Sequence, residues 1–188
     1  MISHLSYAID AWLSLPLHKN NPCPIVPAMT LSSVKAFFAA KAPDIDVIVT
    51  QESSATVALA AQAHGVDPDQ IAKSICLRAG DEIMVVVMAG TARLDNKKFR
   101  ARFGAKPRML GGDEVVEVTS HPVGGVCPFG LPTPLPVYCD ITLQRFAEVV
   151  PAAGAINAAV RIDPLRMVDL TGGIWIDVAQ DPTGPAAD

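Results

Sequence analysis

The sequence predicts an α+β fold: a single domain in which a curved, barrel-like mixed β-sheet is flanked by helices. Three observations lead there. The 188 residues, half of them hydrophobic and 18% charged, are enough to enclose one core but hardly two. The 16 prolines and 13 glycines fall singly between apolar runs, as expected of many short elements joined by tight loops, and form no low-complexity tract. Those runs switch irregularly between strand and helix spacing, without the βαβ rhythm of a doubly wound sheet.

Residues 1–30 read as an N-terminal arm, 31–180 as the domain and 181–188 as a tail. The arm's apolar patch, Ala8 to Leu17, is interrupted by Asp10 and preceded by no basic segment, which argues against a signal peptide. Met29, just before the first helix-start pattern, is an alternative translation start that leaves residues 1–28 dispensable.

Ser32 or Ser33 caps a helix carrying Val34, Phe37, Phe38 and Lys41 at helical spacing, with Pro43 as its stop. Ile45 to Val49 alternate as a strand does. Ser53 or Ser54 caps a second helix with Val57, Leu59, Ala60 and Ala63 on one side and Gly65 at its end, and Pro68 to Ala72 adds a helical turn. Lys73 to Leu77 and Glu82 to Ala89 are β-prone and flank the turn residues Arg78 to Asp81, a hairpin with Lys73 at its mouth. Asp95 caps a helix ending near Gly104, Arg108 to Leu110 form a short strand, and Gly112-Asp113 opens a helix with Val115, Val116 and Val118. After a Gly- and Pro-rich loop, His121 to Pro134, come a strand at Leu135 to Ile141, a helix at Thr142 to Glu148 and a strand at Ile156 to Ile162. Asp163-Pro164 starts a last helix, Gly172-Gly173 ends it, and Ile174 to Val178 is the final strand.

Much familiar machinery is missing: the chain has no GxSxG, Walker loop, HExxH or GxGxxG. Its cysteines, Cys23, Cys76, Cys127 and Cys139, are widely spaced, and His4, His18, His64 and His121 are dispersed. That pattern predicts reduced structural thiols, no metal and a cytoplasmic location. The longest strongly apolar stretch, Ile83 to Ala89, falls far short of the ~20 residues that cross a bilayer.

Three features remain that carry chemistry. Lys73 is a lone cation in the apolar run Ile71 to Leu77. It is either a snorkelling lysine with its ammonium in water, or a partly desolvated ammonium that holds an anionic or carbonyl group; a Schiff-base lysine is a third reading. The second feature, His121 to Gly130, pairs Gly124-Gly125 with Pro122 and Pro128. It is either an ordinary surface loop or a rigid one whose amides approach a ligand. Cys127 within it invites a nucleophile reading, but with no assured histidine partner it is kept as lining. Third, Arg93 to Arg108 holds seven of the chain's fifteen Lys and Arg against a single acid, Asp95, although the formal net charge is −4. That is either a solvated helix face or a local patch for a polyanion.

Taken in order, Ser54-Ala55-Thr56 through Ala60-Ala61 and Gly65-Val66, Gln70 to Ser74, Asp95 to Lys98, His121 to Gly130, and Ala152 to Gly154 with Asn157 resemble the YbaK-like aminoacyl-tRNA deacylases. That family is related to the editing domain inserted in bacterial prolyl-tRNA synthetases, and the likeness runs from about Leu31 to Val178. The resemblance implies the prolyl-tRNA editing fold, no cofactor, and hydrolysis of Ala, Cys, Ser or Thr wrongly attached to tRNA, commonly tRNA(Pro). It matches Lys73 to the family's deacylation lysine and Gly124, Gly125, Val126, Cys127 and Pro128 to its substrate-binding loop, with His121 and Asn157 beside it. Lys97, Lys98 and Arg100 are assigned to tRNA contact. The expected partners are mischarged tRNA and, in passing, prolyl-tRNA synthetase or an elongation factor, with neither membrane nor DNA. The alternative is a non-catalytic tRNA-binding regulatory module of the same fold.

Overall fold

The computed structural model describes residues 30–180; the arm up to Met29, Cys23, His4, His18 and the tail lie outside them, while Thr30, expected to end the arm, is the first residue of a helix. Helix α1 (Thr30–Lys41) leads to strand β1 (Ile48–Val49) and helix α2 (Val57–His64), then a 3-10 turn at Pro68–Gln70. The hairpin β2 (Ile71–Ala79) and β3 (Glu82–Ala89) comes next, followed by α3 (Asn96–Phe103), β4 (Arg108–Met109) and α4 (Gly112–Thr119). Strand β5 (Val137–Asp140), a 3-10 turn at Ile141–Arg145, β6 (Val150–Pro151), β7 (Ala158–Ala159), α5 (Pro164–Thr171) and β8 (Ile174–Ile176) complete the order.

The main sheet runs β4-β2-β3-β5-β8, with β6 also on β2, and β1 and β7 pair separately. Antiparallel β2–β3 and β2–β4 pairs coexist with parallel β3–β5, β5–β8 and β2–β6 pairs, so the sheet is mixed. The barrel-like expectation is corrected: β4 and β8 are the two ends of the path, and the sheet stays open.

Strand β3 explains why its residues read as a continuous apolar run. Val85, Val87 and Ala89 join the main core with α1 residues Val34 and Phe38, whereas Met84, Val86 and Met88 join a second cluster with Leu77, Phe99 and Val178. Both faces are covered, so neither alternate position needs to be polar.

Several boundaries move, each for a local reason. Thr56, not Ser53 or Ser54, caps α2, accepting from Leu59 N at 3.3 Å. The predicted helical turn at Pro68 to Ala72 stops at Gln70, because Asp67 and Gln70 form a capping box around a 3-10 turn and Ile71 is already extended. Lys73 is therefore the third residue of β2, not the first. The helix expected at Thr142 to Glu148 is a 3-10 turn capped by Asp140, and the strand expected at Ile156 to Ile162 keeps only Ala158–Ala159 as β7. Strand β6 was unreadable, since Pro151 has no amide to advertise a strand.

Candidate active site

The two strands on the outer edge of β2 leave a gap. Strand β6 bonds at Ile71 and Ala72, and β4 bonds at Leu77 and Arg78. Between them lie Lys73, Ser74, Ile75 and Cys76, and at Lys73 and Ser74 a cavity of about 200 Å³ opens. Its walls come from α2 and the segment before it (Ser54, Thr56, Val57), the start of β2, Gly124 and Val126 of the loop, and β6 and β7.

Lys73 is half-buried and its ammonium is tethered. Nζ donates to Gly90 O at 2.9 Å and to Ala92 O, the two carbonyls just beyond β3. An ammonium has three N–H donors, so one remains for a ligand. Burial pulls the Lys73 pKa below its ordinary value, helped by the Arg93 charge and opposed by the Asp69 carboxylate. Asp69 also accepts from Thr91 N at 3.2 Å and from the Thr91 hydroxyl. A side chain at Gly90 would come within 2.0 Å of Pro68 O. The carbonyls that hold Lys73 are thus pinned to the 3-10 turn that precedes it.

The loop after α4 is rigid by construction. His121 N donates to Thr119 Oγ1, Gly125 N to Pro122 O, and Cys127 N to His121 Nδ1 at 3.4 Å, while Phe129 is packed between Phe37 and Phe38. Gly124 has a φ of +88° and touches Ala55, and Gly125 lies so close to Ala155 that a Cβ would meet its backbone at 2.7 Å. Only glycine permits these approaches.

The expected site residues separate into groups. Lys73, Gly124 and Val126 line the cavity, whereas Gly125 supports it from behind. Cys127 is fully buried against His121, with Sγ 3.7 Å from Nδ1, and burial pushes its thiol up to about 12. His121 is buried too, and burial brings it down to about 4, so it is neutral at neutral pH. The pair braces the loop and lacks the thiolate that nucleophilic chemistry requires. Pro128 lies beside Phe37 and Lys41, away from the cavity, and being proline offers no amide donor. Asn157 exchanges hydrogen bonds with the Thr50 backbone at 2.8 Å and fastens β1 to β7. Helix α3 buries Phe99 and leaves Lys97 and Arg100 exposed, while Lys98 pairs with Asp177 at 2.9 Å. The sequence reading did not place Val150, Ala158 and Ala159 at the site, and it named Ala152 only within a motif, because apolar residues carry no chemical signal.

Among the described residues there is no cluster of His, Cys, Asp and Glu able to hold a metal ion, and no helix is long and apolar enough to cross a membrane.

Comparison with known proteins bears on the family and the fold. A family model described as an aminoacyl-tRNA editing domain matches residues 51–170. The uncharacterised protein YwhH of Bacillus subtilis is 44% identical over 155 residues, covering 81% of this chain and 99% of that protein. A proline–tRNA ligase of Citrifermentans bemidjiense is 31% identical over 98 residues, which span 52% of this chain but only 17% of the ligase. Among solved structures, a candidate trans-editing enzyme for prolyl tRNA synthetase superposes with a TM-score of 0.76 at 31% identity, covering 81% of this chain and 98% of that one.

Proposed function

The chain belongs to the aminoacyl-tRNA editing domain family, and on that premise we propose that it is a trans-editing hydrolase that cleaves the ester of mischarged aminoacyl-tRNA. The proposed substrates are Ala, Cys, Ser or Thr carried by tRNA(Pro). The similarity to proline–tRNA ligases and to a candidate prolyl trans-editing enzyme supports that carrier.

One observation carries the reading: a half-buried ammonium, tethered by two carbonyls, at a small cavity walled by a glycine loop. An aminoacyl ester is already activated, so positioning and electrostatic stabilisation suffice without a catalytic triad. Lys73 aims its remaining N–H at the carbonyl region of the charged 3′ end, where negative charge develops. The Gly125 and Cys127 amides already donate within the protein, so the loop's contribution falls to Gly124 and Val126. Water, or the neighbouring ribose hydroxyl assisting it, completes the attack. Exposed Arg93, Lys97 and Arg100 then meet the tRNA backbone.

The test is hydrolysis of tRNA(Pro) charged separately with Ala, Cys, Ser, Thr and Pro. Lys73→Met, which keeps the stem and removes the charge, is expected to lower kcat/KM at least about a hundredfold while circular dichroism still reports a folded protein. Undiminished turnover by this variant removes Lys73 from the mechanism. A wild-type protein that binds these tRNAs and hydrolyses none is the regulatory module instead.

A further inference from the structure

We propose that Ser74 reads the amino-acid side chain of the substrate and selects a β-hydroxy amino acid, serine or threonine, over alanine. This rests on the deacylase reading and deepens it, since membership of the family leaves the cleared amino acid open.

Four polar side chains line the cavity: Ser54, Thr56, Lys73 and Ser74. Three of them are engaged within the protein. Ser54 Oγ donates to Ile156 O at 3.1 Å, Thr56 Oγ1 accepts from Leu59 N, and Lys73 Nζ donates to Gly90 O and Ala92 O. The Ser74 hydroxyl is buried and has no hydrogen-bond partner among the described residues. A buried hydroxyl without a partner is destabilising, so its place at a ligand cavity is explained when a ligand supplies the partner.

The pleat of β2 decides which part of the ligand that is. Successive side chains leave opposite faces of a strand, so Ser74 stands on the face of Ala72 and Cys76 while Lys73 stands on the other. The two polar groups therefore approach a substrate from different sides of the sheet edge. With Lys73 on the ester and ribose, which every aminoacyl-tRNA shares, Ser74 is left to the part that varies. The rest of the cavity wall is apolar, with alanines such as Ala55, Ala152 and Ala158 beside the branched Val57, Val126 and Val150, and its volume is only about 200 Å³. So small a cavity admits a short side chain, and a hydroxyl in it that no described protein group pairs distinguishes ligands by hydrogen bonding. A seryl or threonyl hydroxyl pairs with the Ser74 hydroxyl in a single hydrogen bond, as donor or as acceptor, whereas an alanyl methyl leaves it unpaired. A site built to pair a substrate hydroxyl discriminates against the analogue lacking it more strongly than an apolar pocket discriminates by size.

The experiment compares wild type and Ser74→Ala on tRNA(Pro) charged with Ser, Thr or Ala. In parallel, binding is measured for non-hydrolysable seryl and alanyl amides of 3′-amino-3′-deoxyadenosine. The wild type is expected to favour the seryl and threonyl esters by at least about tenfold in kcat/KM, the equivalent of one well-made hydrogen bond. Ser74→Ala is expected to lower seryl and threonyl turnover at least about tenfold more than alanyl turnover, and to lose the preference for the seryl amide. Its melting temperature is expected to match or exceed the wild type's, because a hydroxyl without a protein partner is removed. Equal loss on all three esters, absence of a seryl preference in the wild type, or a lowered melting temperature each overturns the assignment. Inertness of the wild type towards every ester overturns the deacylase reading, and the amide binding still decides whether Ser74 distinguishes the two side chains.

Discussion

A tethered lysine behaves differently from a free one, and Lys73 shows how neighbouring residues set its working range. Its ammonium form is the one that donates, so turnover falls as pH rises through its pKa. Burial, the first cause, brings that alkaline limb below the ordinary lysine value of 10.5. The two nearby charges act in opposite senses: Asp69 raises the Lys73 pKa and Arg93 lowers it. Asp69→Asn is therefore expected to move the limb of kcat/KM to lower pH, and Arg93→Gln to move it to higher pH, once uncatalysed ester hydrolysis is subtracted. Asparagine keeps an oxygen able to accept from Thr91, which separates the loss of charge from the loss of the Thr91 anchor. Coincident limbs in the wild type and both variants would show that Lys73 is not the group titrating. Cys127 is inert for a related reason, since complete burial holds its thiol near 12 with no cation beside it.

At the level of elements, the site depends on how closely the loop after α4 approaches its neighbours. Gly125 packs against the Ala155 backbone, and Gly154 N donates to Gly125 O at 3.0 Å, so a methyl group at position 125 must push the two segments apart. Gly125→Ala is expected to destabilise the fold by about 1–3 kcal/mol in urea denaturation and to depress kcat/KM further, because Gly124 and Val126 shift with it. Full stability in this variant would mean that the loop is not braced there. Elements of this kind were only partly legible in the sequence. The hairpin β2–β3 and the caps Asp95, Gly65, Asp163 and Gly172 were readable because their signals are local: alternation, a side chain accepting from the next turn, a glycine in the left-handed region. Strand β6 was not, and β7 was read only as part of a longer strand, because two-residue strands are bounded by their partners: Val150 and Pro151 on β2, Ala158 and Ala159 on β1. Lys73 and the glycine loop stood out by residue type. Their meeting across β2, and the two carbonyls that hold the ammonium, belong to tertiary geometry that spacing does not encode.

Across the whole molecule, charge is segregated: the chain carries a formal net charge of −4, yet α3 and its approaches present cations to solvent. Helix α3 turns Phe99 and Phe103 towards the second core cluster, which obliges Lys97 and Arg100 to face outwards. Arg93, on the loop whose carbonyls tether Lys73, connects that surface to the cavity. A tRNA whose 3′ end enters the cavity therefore has a path for its phosphates along Arg93, Lys97 and Arg100, while net repulsion elsewhere limits indiscriminate binding. Each phosphate that a cation neutralises releases counterions, so affinity should fall steeply with salt. Replacing Arg93, Lys97 and Arg100 by Ala is expected to flatten the slope of log K against log salt by about 0.7–0.9 for each phosphate left without its cation. Lys98→Ala is expected to change the slope less, because its ammonium is held by Asp177 at 2.9 Å. Measuring binding of tRNA(Pro) across a salt series separates the two cases. A triple variant with the wild-type slope would place the nucleic acid on another surface, and the path from α3 to Lys73 would have to be abandoned.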